Sequence, residues 1–299
     1  LGLCGCTVTI FSGNKTLVEY TVYKKKLEPV PAPAEPLKAP EEMKSTEELY
    51  LAGTHLEQYR HATSEPADYY LEGLKRDSTD IRLNNSYGLL LYKRGRMKDS
   101  ISYFRAAIKK QTWKNPNPYS GECWFNLGLA LRAIGQNEEA YDAFYKATWS
   151  AETQSPAFYW LACLASEKGA YKDALNFVSE SMIRNWHNMK ARALKAALLR
   201  KLGLDSSALL KESLEIDPLY MSCLYEQAIN TGFLDYWKEK MRGEPHNYLE
   251  VSLDYVSAGF YEDGLYILNA CSNPNPMCLY YEGYFHSRLN NHEAAINCF

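Results

Sequence analysis

The chain has 299 residues, enough for two ordinary domains or for one small piece followed by a long repeat array. Its 46% hydrophobic and 23% charged content excludes the polar, highly charged regime of disorder, and a net charge of −3 leaves no bulk attraction for nucleic acid. The longest apolar runs, such as Tyr87–Tyr92 and Ala196–Leu199, fall short of the roughly 18 residues of a membrane span.

Taken in chain order, Thr7–Phe11 and Thr16–Tyr23 are rich in β-branched and aromatic residues and flank the turn signal Ser12-Gly13-Asn14-Lys15. This predicts a β-hairpin within residues 1–26. A lone hairpin is marginal in water, so it is expected to be the remnant of a larger upstream β domain. A chain that starts on Leu1 rather than Met is likewise expected to lack its natural N-terminus, and export stays open on that ground. Residues 27–44 follow as a Pro-rich linker: Leu27–Pro40 holds five prolines in fourteen residues, which favours an extended spacer.

From residue 45 onward a helical period takes over and repeats about every 34 residues. With Gly88 at position 8 of a unit, Gly95 falls at 15, Phe104 at 24 and Ala107 at 27. Counting again from Gly121, Trp124 is at 4, Leu127 at 7, Gly128 at 8, Gly135 at 15, Ala140 at 20, Phe144 at 24 and Ala147 at 27. From Ser155, Leu161, Ala162, Gly169 and Ala174 take positions 7, 8, 15 and 20; from Met189, Ala196, Gly203 and Ala208 take 8, 15 and 20. That unit closes about two residues early, at Asp217-Pro218. Units from Pro245 (Val251, Gly259) and Pro276 (Gly283, Ala295, Phe299) follow, the last one truncated. Tyr220–Arg242 fits poorly and reads as degenerate. Glu47–Ser78 stands where a first unit belongs, with Pro66 in place of the small residue at 20. Small residues at 8 and 20 let two antiparallel helices approach, large ones at 4, 7 and 24 fill the seam, and glycine at 15 ends the first helix. The expected fold is all-α: a right-handed superhelical solenoid over residues 45–299, of about six helix pairs.

This pattern resembles the tetratricopeptide repeat. The stretch from Val8 to Pro218 also resembles a bacterial family that joins an uncharacterised β-rich, aldose-epimerase-like domain to such repeats. The residues that carry the likeness are His55–His61, Asn84-Asn85 with Gly88–Leu91, Asn115–Tyr119, Asn126–Arg132 and Ala140–Trp149. The resemblance implies no settled activity and a loose tie to carbohydrate metabolism, with any catalytic part in the β domain upstream. The shortfall near Asp205 departs from the usual unit.

In such solenoids the inner surface is lined by positions 2, 5, 9, 12 and 13 of the first helices. Here that places His55, Gln58 and Tyr59, then Arg82, Asn85, Tyr92 and Lys93, then Glu122, Phe125 and Arg132, then Tyr159 and Glu167, and last Lys190, Arg200 and Lys201. Basic and aromatic groups on a concave face suit an acidic peptide, a C-terminal carboxylate or a sugar phosphate. The chaperone-tail clamp of related cochaperones wants Lys at 5 and Asn at 9; Asn85 and Leu89 stand there instead.

Other features point away from chemistry. His55, Glu57 and His61 are poorly phased on a helix for a shared metal, and the eight cysteines form no C-x-x-C pair, so no metal and no cofactor are expected. Scattered thiols suggest a reducing, cytoplasmic compartment. His61 is expected to hydrogen-bond the first helix to the upstream β domain or to the next repeat. The two Asn-Pro-Asn-Pro runs, at Asn115 and Asn273, read as inter-repeat loops, the first long enough to project toward a ligand. Tyr69, Tyr70, Tyr141, Tyr145, Trp149, Tyr159 and Trp160 follow helical spacing and read as packing, with stacking on sugars as the alternative. No nucleophile or phosphate-loop motif occurs. The expected function is a non-catalytic scaffold holding a protein, a peptide or its own upstream β domain; the alternative is the accessory region of a carbohydrate-active enzyme.

Overall fold

The computed structural model describes residues 5–23, 30, 32–33, 35–59 and 62–299. These fall into two units, 1–39 and 40–299. The Pro-rich stretch and the expected role of His61 lie partly or wholly outside the described residues.

In the first unit, β1 (Thr7–Ser12) pairs antiparallel with β2 (Lys15–Thr21), from Thr7↔Thr21 to Ser12↔Lys15. The two-residue turn puts Gly13 first, at φ +58, the II′ pattern that follows strand twist. Val8, Ile10, Phe11, Leu17, Val18 and Tyr20 are all exposed, so both faces of the ribbon carry apolar side chains.

The second unit opens with a 3₁₀ turn at Pro40–Glu42, whose Pro40 carbonyl, with that of Met43, accepts from Arg76 at 3.1 and 2.7 Å. Sixteen helices follow among the described residues: α1 (Thr46–Tyr59), α2 (Pro66–Arg76), α3 (Ile81–Lys93), α4 (Met97–Gln111), α5 (Glu122–Ala133), α6 (Asn137–Ala147), α7 (Gln154–Glu167), α8 (Tyr171–Arg184), α9 (Met189–Lys201), α10 (Ser207–Ile216), α11 (Met221–Thr231), α12 (Leu234–Met241), α13 (Pro245–Val256), α14 (Tyr261–Asn269), α15 (Pro276–Arg288) and α16 (His292–Cys298). Each odd helix packs on the even one that follows it, and most even helices pack on the next odd one. This is an all-α solenoid of eight pairs, two more than expected. Pro66 does not break the first pair, because it sits at the start of α2, where its missing N–H costs nothing. The degenerate stretch also pairs: Trp237 of α12 is fully buried against Tyr225 of α11.

The small positions do what their periodicity requires. A Cβ on Gly88 would lie 2.8 Å from the Phe104 ring, and one on Gly128 would lie 2.6 Å from Phe144. Ala140, Ala147, Ala162, Ala174 and Ala196 are buried. Ala208 is an exception: it is exposed, and Ser206 and Leu210 are buried in its stead. The second helix of every other glycine-turned pair starts two residues after the turn residue, whereas α10 starts four residues after Gly203, which rotates the helix face.

A left-handed residue recurs at the turn within each of the seven pairs from α3–α4 to α15–α16: Gly95, Gly135, Gly169, Gly203, Gly232, Gly259 and finally Asn290, at φ +62. At Gly169 (φ +76) an added Cβ would meet nothing within 4 Å, so only the backbone conformation opposes a side chain. Gly169→Ala is therefore expected to cost about 1–2 kcal/mol in urea denaturation. A change below about 0.3 kcal/mol would mean that the turn relaxes freely.

Candidate functional site

The odd helices form one layer, and their exposed side is the surface on which the inner-face residues were expected. The layer curls back on itself. At the end of α13, the Ser257 carbonyl accepts from Nη2 of Arg132 on α5 at 2.6 Å, and its hydroxyl lies 3.5 Å from the Tyr159 hydroxyl on α7. Gly259 packs so closely on Glu167 that a Cβ there would stand 2.8 Å from the Glu167 Cα. Arg288 of α15 reaches the same Glu167 carboxylate at 3.0 Å. Residues more than 90 positions apart thus share one surface.

This folding back divides the expected site. On α9, Lys190 pairs with Asp254 at 3.0 Å and Lys201 with Asp263 at 2.8 Å. Arg200 spans Glu226, at 2.9 Å through both Nε and Nη2, and Asp263 at 2.8 Å. Burial works against the Arg200 charge, but the Glu226 hydrogen bond and charge outweigh it and hold its pKa above the ordinary value. Tyr159 is buried, and that burial pushes its phenol well up. Burial likewise pushes the thiols of Cys163 and Cys123 up to about 11 and about 12, so both stay protonated and act as packing groups.

The other residues lie on the earlier helices. His55, Gln58 and Tyr59 are exposed on α1, with the His55 and Tyr59 rings 4.6 Å apart. Arg82 is paired with Glu47 and lies over Tyr50, and Lys93 stands 3.5 Å from Glu57. Asn85 is buried and accepts from Asn126 at 3.0 Å, joining α3 to α5. Phe125 packs against Phe144, and Glu122 is exposed at the start of α5. Tyr92 is half-buried; burial raises its phenol pKa while nearby Arg132 opposes the rise.

Arg132 differs from the other expected cations. It has no carboxylate partner among the described residues, it lies over the Trp160 ring at 4.7 Å, and its buried Nε donates to nothing. Trp160 lies under it, and its charge reaches Tyr92 and Tyr261; burial pushes the Tyr261 phenol up to about 12, and Arg288 lies over that ring. The chemistry on offer is a guanidinium with free donors among aromatic rings from separate helices.

Periodicity also misled in places. Tyr145 and Trp149, read as packing, are exposed, and so are Trp113 and Trp186. These three tryptophans each stand two residues beyond the end of an even helix, with a cation over each ring: Lys110 and Lys114 at Trp113, Lys146 at Trp149, Arg192 at Trp186. The Asn115–Pro118 loop leans toward this edge, since Asn117 accepts from Lys146 at 2.6 Å.

Residues 121–148 match the family model of the tetratricopeptide repeat. The helical unit has the fold of a solenoid of tetratricopeptide-type helix pairs. Human tetratricopeptide repeat protein 7A is 32% identical over 108 residues, which are 36% of this chain and 12% of that protein. An uncharacterised protein of Methanocaldococcus jannaschii is 34% identical over 59 residues, 20% of this chain and 62% of its own length. The chain thus spans a small part of one of these relatives and under two thirds of the other. Among solved structures, a tetratricopeptide repeat protein from Parabacteroides merdae superposes with a TM-score of 0.51 at 14% identity, covering 85% of this chain and 90% of that one. No helix among the described residues is long and apolar enough to cross a membrane.

Proposed function

We propose that this chain is a non-catalytic protein-binding scaffold, and that the inner face around Arg132 takes a carboxylate-bearing segment of an acidic peptide. The observation that carries this reading is charge bookkeeping on the inner face. Arg82, Lys93, Lys190, Arg200 and Lys201 are each matched by a carboxylate of the chain itself, whereas Arg132 is matched by none among the described residues. A half-buried guanidinium with no acid beside it is an incomplete pair, and a ligand carboxylate would complete it. His55, Gln58, Tyr59 and Tyr92 extend the same face toward the first repeat and would frame the rest of an extended chain. The upstream β domain implied by the family resemblance is a candidate owner of that segment.

The probe is a fluorescein-labelled Asp/Glu hexapeptide, set against its Asn/Gln counterpart and a saccharide panel. Fluorescence polarisation is expected to show binding of the acidic peptide only, weakened about 10-fold or more by Arg132→Ala, as loss of a charged hydrogen bond would do. Lys172→Ala, at an exposed position of α8, is expected to leave it unchanged. Equal binding of the neutral peptide, or unchanged affinity in a folded Arg132→Ala variant, would overturn the assignment. Saccharide binding without peptide binding would favour the carbohydrate-accessory role instead.

A further inference from the structure

We propose that Glu282, His286 and Cys298 form a zinc site that clips α16 to α15. Glu282 and His286 are four residues apart on α15 and so share a face. Cys298 ends α16 and approaches from the opposite side. One ligand atom from each of the three lies within 4.8 Å of the others, and all three residues are half-buried.

The donors are poorly used by the protein itself. Nδ1 of His286 is buried without a hydrogen-bond partner among the described residues. Its Nε2 is 3.9 Å from the Glu282 carboxylate, too far for a hydrogen bond. A carboxylate, an imidazole and a thiol therefore converge without satisfying one another, an arrangement that a cation resolves. The mixed oxygen, nitrogen and sulfur set suits zinc; calcium and magnesium take oxygen ligands. Three protein ligands leave the fourth tetrahedral position to water. Zinc bonds of about 2.0–2.3 Å require ligand atoms roughly 3.3–3.8 Å apart, so the cluster must contract by about 1 Å, within reach of side-chain rotation. Binding converts the Cys298 thiol to a zinc-bound thiolate and releases its proton to solvent.

The packing gives the clip a purpose. Among the seven residues of α16 only Ala295 is buried, so the helix has little apolar surface to hold it. Gly283 permits the approach, since a Cβ there would lie 3.0 Å from the Cys298 Cβ. The site escapes a motif search because its ligands are an i, i+4 pair on one helix and a residue twelve positions beyond it on another.

The test uses the full chain after chelator treatment. Cobalt(II) added to one equivalent is expected to give a thiolate-to-cobalt charge-transfer band that zinc then displaces. Cys298→Ser is expected to abolish the band, while Cys6→Ser, which changes an exposed thiol elsewhere, keeps it. His286→Ala is expected to weaken zinc affinity about 100-fold or more, and zinc is expected to raise the melting temperature of the parent but not of Cys298→Ser. A band that survives in Cys298→Ser, or a parent that gives no band at one equivalent, would overturn the proposal.

Discussion

Phe144→Ala is expected to destabilise the helical unit by about 3–5 kcal/mol, the range for removing a large aromatic from a packed core. The Phe144 ring is 0% exposed. It covers Gly128 on α5, meets Phe125 with centroids 5.7 Å apart and stacks near Trp160 of the next pair at 6.2 Å. Its loss opens a cavity that touches three helices, and stability in such an array is a sum of repeat and neighbour-interface contributions, so both kinds suffer. Urea denaturation measures the loss. A double-mutant cycle isolates the mechanism. Gly128→Ala alone is expected to destabilise, because its methyl would meet the Phe144 ring at 2.6 Å. In the Phe144→Ala background the same methyl enters the space vacated, so the two costs should fall short of their sum by more than about 0.5 kcal/mol. Strict additivity would show that Gly128 and Phe144 do not form the seam described above.

Much of that seam was legible beforehand, because it rests on residue types that recur. Gly128 facing Phe144, and Gly135 at positive φ, are local requirements that recur along the array, and a single sequence displays them. Ala208 was misplaced because Gly203 anchors the turn correctly while the two extra residues before α10 leave no signal of their own. Arg192 occupies position 4 of its unit, where Trp124 stands in another. It is nevertheless fully buried, with Nη1 donating to Glu212 at 2.9 Å and Nε to the Trp186 carbonyl at 2.8 Å. Nothing in the pattern distinguishes such a buried, paired cation from a solvated one. The inner-face residues pose the same difficulty at longer range. Lys190, Arg200 and Lys201 were expected on the inner side of α9, and the acids that pair with them, Asp254, Glu226 and Asp263, come from later pairs. Which acids they meet depends on how tightly the layer curls. Curl accumulates from small rotations between pairs, which no local motif encodes.

That curl is held in part by a buried charge cluster, and Glu226→Ala is expected to cost about 3–5 kcal/mol, the range for stranding one member of such a pair. Glu226 is 0% exposed on α11; its carboxylate accepts two bonds from Arg200 at 2.9 Å and one from the Tyr255 hydroxyl at 2.9 Å. Without it, Arg200 keeps Asp263, but Tyr255 is left with only its 3.2 Å bond to the Ser222 carbonyl, and a guanidinium is desolvated beside a void. Glu226→Gln, which keeps the shape but not the charge, should fall between parent and Ala. Removing both charges together, Arg200→Met with Glu226→Leu, is expected to recover much of the loss, because the desolvation cost disappears with the pair. By contrast, Glu47→Ala breaks the exposed pair with Arg82 and should leave the denaturation midpoint where it was. A Glu226→Ala variant within about 1 kcal/mol of the parent would mean that water reaches the cluster freely. The same variant reports on function. Glu226 ties α9 and α11 to α13 through Arg200 and Tyr255, so its loss should free the end of α13 that lies on Arg132. Faster amide hydrogen exchange is then expected at Ser257–Gly259, together with altered binding of the acidic peptide at Arg132.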